Sequence, residues 1–465
     1  MIPMTLEQIA HATGGRLVNA DPSATVTGAV EYDSRRVGPG ALFVAIVGER
    51  VDGHDFADAV LDAGAVGILG TRDTGRPGIV VADPLVALAR LARTVLDRLD
   101  DLTVIGLTGS SGKTTTKDLI GQLTARLGPT VAPPGSGNNE LGHPYTVLMA
   151  TADTRYLVLE MGARGPGHIR HLARVAPPRI GLVLNIGAAH IGEFGSVEGT
   201  AAAKGELVEA LPADGVAVLN ADDPLVAPMA ARTPARVVLV GESAGAHVRA
   251  VDVDVDERGR ASYTLVTAQG SRPVRLAVTG RHQVANTLAA AAVALELGMP
   301  LDELADALGG AGVVSERRMD VFDRPDGVTV VDDSYNANPS STSAALRALA
   351  AMGRGRRTTA VLGYMAELGD HETAGHEEVG RLAAELGVDR LVVVGDAAAA
   401  ILRGAATATD WKGEPVFAAD QRAAIQVLER DLRAGDVVLV KGSRYRTWEV
   451  ADALRAGAGH QEVPA

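Results

Sequence analysis

The chain has 465 residues, no cysteine, 46% apolar and 22% charged residues, and a formal net charge of −13. That length asks for roughly two to four separate cores, and the absence of cysteine excludes disulfides, a thiol nucleophile and thiolate metal sites. The acidic balance and 3% aromatic content argue against nucleic acid, which needs clustered Lys and Arg with stacking rings; no apolar run is long enough for membrane insertion and the first residues lack signal-peptide blocks, so a cytoplasmic protein is expected.

In chain order, Thr5-Leu6-Glu7-Gln8 reads as a capping box opening a short helix that Gly14-Gly15 closes. Short β-like runs follow over residues 26–81, the clearest being Ala41-Leu42-Phe43-Val44-Ala45-Ile46. Two polar clusters flank it, Asp33-Ser34-Arg35-Arg36 and the stretch from Gly48 through Asp52-Gly53-His54 to Phe56. Each reads as turn chemistry or as a ligand contact. A small α/β domain is expected over residues 1–83, followed by a helix over 84–99.

Residues 103–117 form the stretch around which the rest is organised. An apolar run, Thr103-Val104-Ile105-Gly106-Leu107-Thr108, leads into Gly109-Ser110-Ser111-Gly112-Lys113-Thr114-Thr115, and a helical pattern continues over 114–127 until Gly128-Pro129. Strand, glycine turn and helix together aim backbone N–H groups and a helix N-terminus at a polyphosphate. Lys113 adds a cation for the terminal phosphates, and the Thr114 hydroxyl suits Mg²⁺. Leu107 stands where the first glycine of the usual loop falls, which leaves the shorter Gly-x-x-Gly-Lys-Thr form.

Beyond it, apolar runs repeatedly end in polar residues: residues 156–159 in Glu160, 180–184 in Asn185, and 216–219 in Asn220-Ala221-Asp222-Asp223. Such runs separated by helical patterns imply a parallel sheet with its site at the strands' carboxyl ends. Residues 248–278 alternate around Glu257-Arg258-Gly259 and predict a hairpin appendage. An Ala-rich helix is expected over 286–297, closed by Gly298. From residue 314 the pattern restarts, with runs at 328–331, 359–362, 391–394 and 437–440 predicting a doubly wound sheet.

Several polar residues stand out on position alone. Glu160 ends a strand near the phosphate loop, as a metal-organising carboxylate would or as the partner of an arginine would. His190 lies in a glycine-rich loop, Lys204 reads as an ordinary helix-surface lysine, and Asn138-Asn139 form a polar turn that either grips a substrate or caps a helix. Asp332-Asp333-Ser334-Tyr335-Asn336-Ala337-Asn338-Pro339 is denser in donors and acceptors than a loop requires. Lys441 and Arg444 are strand-end cations suited to a carboxylate or phosphate, or else part of a solvated turn.

Taken together, these stretches resemble the Mur ligase family. The phosphate loop, Leu159-Glu160-Met161-Gly162-Ala163, the His190 loop, Lys204-Gly205-Glu206 and the segment from Arg281-His282 to Asn286 follow the family's order. Asp332 through Pro339, Met365-Ala366-Glu367-Leu368-Gly369 and Lys441 through Arg444 are similar to the branch that joins D-alanyl-D-alanine to UDP-N-acetylmuramoyl-tripeptide in peptidoglycan synthesis. The resemblance implies an α/β chain of three domains: a uridine-nucleotide domain (1–83), a P-loop ATPase domain with a mostly parallel sheet (84–313) and a Rossmann-like ligase domain (314–465). It implies that Lys113, Glu160, His190 and Lys204 serve catalysis, that Thr114, Glu160, His190 and a carbamylated Lys204 hold two Mg²⁺ ions, and that Asn286, Arg318 and Asp333 join the phosphate loop in binding ATP. Ser34 and Arg35 would hold the UDP end, Asn138 and Asn139 would line the substrate channel, and Asn336, Asn338 and Arg444 would meet the dipeptide. The enzyme is expected to act as a monomer. The choice of Arg318 over Arg317 is one of register, and Tyr364 stands where the family often has an acid. Another amide ligase of the same superfamily, of muramyl-peptide or folylpolyglutamate type, and a P-loop kinase or NTPase switch are the alternative readings.

Overall fold

The computed structural model describes residues 1–187, 194–443 and 445–456. His190 and Arg444 lie outside these described residues. Three sheets carry the α/β architecture. At the N-terminus the capping box forms as expected: Thr5 and Gln8 exchange side-chain and backbone bonds at 3.1 and 3.2 Å ahead of the Leu6–Thr13 helix, and Gly14 ends it in the left-handed region at φ 71°. A five-stranded sheet follows, with its parallel centre made by Leu42–Val44, Gly67–Gly70 and Gly78–Val80.

The helix after it, Pro84–Leu96, is capped by Asp83. Its apolar face does not belong to one sheet alone. Leu88, Leu91 and Val95 share one buried cluster with Leu6 and Leu42 on one side and Val104, Leu157 and Leu159 of the next sheet on the other. The N-terminal and central sheets are therefore coupled through a continuous apolar contact.

The central sheet has nine strands, with Thr103–Thr108 flanked by Ile180–Val183 and Tyr156–Glu160, both parallel to it. This arrangement brings three strand carboxyl ends together, so Gly109, Glu160 and Leu184-Asn185 converge on one edge. The stretch read as a hairpin appendage is instead three strands, Val248–Val255, Arg260–Thr267 and Gly270–Thr279, which continue this sheet. Alternation reveals strands but not which edge they join, and here Ala250, Tyr263, Leu265 and Val274 bury into the central core. The phosphate-loop helix spans Lys113–Thr124, shorter than the pattern suggested, and the Ala-rich helix spans Gln283–Glu296.

The C-terminal sheet has six strands, all parallel except Asp320–Asp323 at one edge. Alternate residues of its strands face opposite helical layers: Ala360, Leu391 and Leu439 one way, Val361, Val392 and Val438 the other. That is the doubly wound arrangement the apolar runs predicted. The chain entering it is pinned to the phosphate-loop helix, because Gln122 exchanges two 3.0 Å bonds with the backbone of Gly312 and Asp118 accepts from Ser315 N at 2.9 Å.

Candidate active site

The phosphate loop is braced before any ligand meets it. Asn185, at the end of the neighbouring strand, accepts from Ser111 N at 2.9 Å through Oδ1 and donates to Ser111 O at 3.1 Å, while its carbonyl accepts from Ser110 N at 3.0 Å. Ser110 Oγ accepts from Gly187 N at 2.8 Å. Gly112 sits at φ 78°, and a Cβ there would lie 2.5 Å from Asn286 Oδ1, so glycine is required both for the turn and for the approach of Asn286. Thr115 lies in the first helical turn. Lys113 folds back to donate to Gly109 O at 2.7 Å, and burial pulls its ammonium pKa down while Glu160 opposes that pull.

Glu160 is buried, and among the described residues no arginine pairs with it. Thr114 donates to its Oε2 at 2.9 Å, and Ser136 and Asn138 donate to Oε1 at 2.9 and 2.7 Å. All three donors are neutral, so the carboxylate is held in place by hydrogen bonds and not by a counter-ion. Asn139 uses Oδ1 to accept from Leu141 N and Gly142 N at 3.2 and 2.8 Å, capping the following helix, yet it still borders the cavity described next.

That cavity, open to solvent, is bordered by Lys113, Asn138, Arg164, Lys204 and Glu367. Here the surface reading of Lys204 is corrected. It ends the Val197–Lys204 helix, is 1% exposed and has no hydrogen-bond acceptor among the described residues; its Nζ lies 6.0 Å from the Phe194 ring centre. Burial, and then the nearby charge of Lys113, bring its pKa down to about 7.

The C-terminal lobe reaches the phosphate loop and places Glu367 on the cavity's border. Arg318 Nη2 donates to Thr114 Oγ1 at 3.2 Å, and its guanidinium lies 4.2 Å from the Tyr335 ring centre. Arg317 turns away to Asp452 at 3.0 Å and to Trp448 O, which settles which of the two arginines faces the phosphate loop. Asn338 caps the Pro339–Met352 helix through Ser341 N at 2.9 Å and donates across the lobes to Ser110 O at 3.4 Å. Asp333 accepts from Met319 N at 3.1 Å and forms a buried ion pair with Lys441, which also donates to Asn336 O at 2.9 Å. Lys441, 2% exposed, is thus no solvated turn. Asn286 donates to Gln283 Oε1 at 2.8 Å on the helix face beside Gly112. The Tyr364 hydroxyl donates to Glu372, and its ring stacks on His376 at 5.4 Å.

Folded this way, the chain matches the Mur ligase middle domain over residues 107–294, the glutamate ligase domain of Mur ligases over 317–444 and the Mur ligase catalytic domain over 27–95. It is 49% identical to the UDP-N-acetylmuramoyl-tripeptide–D-alanyl-D-alanine ligase of Mycobacterium tuberculosis, across 98% of each chain. The chain belongs to the Mur ligase family. Solved Mur ligases superpose on its whole length. MurF from Acinetobacter baumannii is 34% identical with a TM-score of 0.86 over 97% of this chain and 99% of that one. MurF from Thermotoga maritima, solved with ADP, is 30% identical with a TM-score of 0.79 over 93% and 98%.

The N-terminal clusters are more open than the rest of this Mur ligase. Ser34 begins a 3₁₀ turn, and Arg35 is exposed and paired with Asp33 at 2.6 Å, which holds the Asp33 carboxyl down at about 2. His54 is buried: its Nε2 accepts from Thr71 N at 2.9 Å, so Nδ1 carries the proton and donates to Asp52 at 2.6 Å. That cluster is a brace for its own loop. Asn185 and Ser136 escaped sequence reasoning because each is a lone polar residue; the only signal for Asn185 was its place at a strand end beside the phosphate loop. Among the described residues no three His, Asp or Glu side chains form a ready cage for a metal.

Proposed function

We propose that this Mur ligase joins D-alanyl-D-alanine to UDP-N-acetylmuramoyl-tripeptide, using ATP and passing through an acyl phosphate. The observation that carries the reading is one cavity bordered by Lys113 and Lys204 beside the Thr114–Glu160 pair, with Glu367 of the C-terminal lobe also on its border. The activity for which the mycobacterial relative is named and the ADP bound by the Thermotoga relative support it.

A carboxylate is a poor electrophile because it is anionic and lacks a leaving group. Transfer of the γ-phosphoryl group to the tripeptide's terminal carboxylate supplies one, but it brings two anions together. Lys113 offsets that charge at the phosphate loop, and Arg318 adds a second cation from the opposite lobe. Thr114 and Glu160 offer hard oxygen donors 2.9 Å apart, which fits Mg²⁺, an ion that keeps much of its coordination for water and phosphate. An Mg²⁺ ion held by Thr114 and Glu160 would neutralise charge on the phosphates, and His190 would help hold a second ion. With a pKa of about 7, much of the Lys204 amine is uncharged at neutral pH. It can form an N–C bond to CO₂ and release a proton, and the resulting carbamate is an anionic oxygen ligand where a cation had stood.

Water must be kept from the acyl phosphate. Contacts of Arg318 with Thr114 and of Asn338 with Ser110 close one lobe over the other. In this reading residues 1–83 hold the UDP end through Ser34 and Arg35, residues 84–313 bind ATP with help from Asn286 and Asp333, and residues 314–465 bring the dipeptide, with Asn336, Asn338 and Arg444 near it. Asn138 and Asn139 border the tripeptide's path. The enzyme is read as acting as a monomer. No helix among the described residues is long and apolar enough to cross a membrane, in keeping with work on soluble cytoplasmic precursors.

The test is ADP release by purified protein with ATP, Mg²⁺ and the tripeptide precursor, with and without D-alanyl-D-alanine. The reading expects steady turnover only with both, and one pentapeptide product per ADP. Rapid ADP release with neither would mark an NTPase switch and sink it.

A further inference from the structure

Two cavities meet at one carboxylate. Beside the catalytic cavity a second opens in the C-terminal lobe, with about 990 Å³ of empty space walled in part by Tyr335, Asn336, Ser443 and Trp448. Glu367 borders both. Its backbone has φ 66°, a left-handed conformation that side chains other than glycine, asparagine and aspartate rarely adopt.

The surrounding loop holds that conformation in place. Met365 N donates to His376 Nε2 at 3.0 Å; His376 Nδ1 meets the carbonyl of Glu372 at 2.7 Å, so Nδ1 carries the proton and Nε2 is free to accept. Ala366 N donates to Ser443 Oγ at 2.9 Å, and Ser443 N donates to Tyr364 O at 3.0 Å. Met365 and Leu368 are buried on either side. Backbone strain over-determined in this way concentrates where a side chain must be presented for function. Glu140, the other carboxylate bordering the catalytic cavity, does not border the second cavity.

We propose that Glu367 binds the ammonium group of the incoming dipeptide at the junction of the two cavities and takes one of its protons. The inference rests on the ligase reading above. The neutral amine forms a bond to the carbonyl carbon of the acyl phosphate, the C–O bond to phosphorus breaks, and phosphate departs with the second proton as the amide forms. Lys113, which borders the catalytic cavity together with Glu367, repels an ammonium and attracts the phosphate, so the two charges orient both reactants.

The test uses Glu367→Gln in the full chain. Borohydride trapping should find acyl phosphate formed from ATP and tripeptide as in the wild type, while ligation of D-alanyl-D-alanine falls about a hundredfold or more. Loss of both steps, or ligation that survives the substitution, would overturn the proposal. Glu367→Gly should raise the thermal midpoint by relieving the strained backbone and still lose ligation; a lower midpoint would show that the side chain serves the fold instead. If the wild-type protein makes no amide with the dipeptide, the ligase reading itself fails.

Discussion

The floor of the catalytic cavity and the seam beside it each bury a lysine, and the two behave differently. Lys204 and Lys441 are 1% and 2% exposed, and burial pulls both ammonium groups downward. At Lys441 the Asp333 carboxylate pushes back; at Lys204 the charge that acts is another cation, Lys113, which pushes the same way. The partner, not the burial, decides whether a lysine ties two elements together or stands ready as an amine.

The largest expected effect lies with the cation that sets this contrast. Lys113→Ala removes the charge over the phosphate loop and should cut ligation by on the order of a thousandfold or more, with the unfolding midpoint little changed; retained turnover would take the loop out of the chemistry. Next comes the seam. Lys441→Met leaves Asp333 buried without its partner and should cost about 3–5 kcal/mol in urea unfolding. A neutral result there would erase the contrast.

Lys204→Met should do the reverse to stability while abolishing turnover. In CO₂-free buffer at pH 6 the wild type must carry a buried charge that the variant lacks, so the variant should melt higher. As pH rises from about 7 toward the ordinary lysine range, the unfolded wild type holds a proton that the folded chain has released. Wild-type stability therefore rises in that window and the variant's advantage shrinks. An advantage independent of pH would contradict the shifted lysine. The smallest effect is expected at the exposed N-terminal pair: Arg35→Ala should leave the melting point unchanged and raise KM for the uridine precursor alone.

What could be read from the chain follows the same division between local pattern and remote partner. The capping box at Thr5, the phosphate loop and the parallel runs are local signals, and each formed close to where its pattern lay. The edge strands Asp320–Asp323 and Glu414–Ala418 carry exposed or half-exposed residues and no apolar run, so nothing marked them. Lys204 looked like a surface residue because its neighbours are small alanines; its burial comes from elements distant in sequence. Asp333 and Lys441 were singled out separately, but only the parallel register of Thr329–Asp332 with Val437–Lys441 brings them together.

One measurement bears most directly on Lys204. Protein equilibrated with ¹³C-bicarbonate should show a carbamate carbon resonance in NMR that grows as pH is raised through about 7 and is missing from Lys204→Met. A wild-type spectrum without that resonance, in protein that ligates at full rate, would contradict the account.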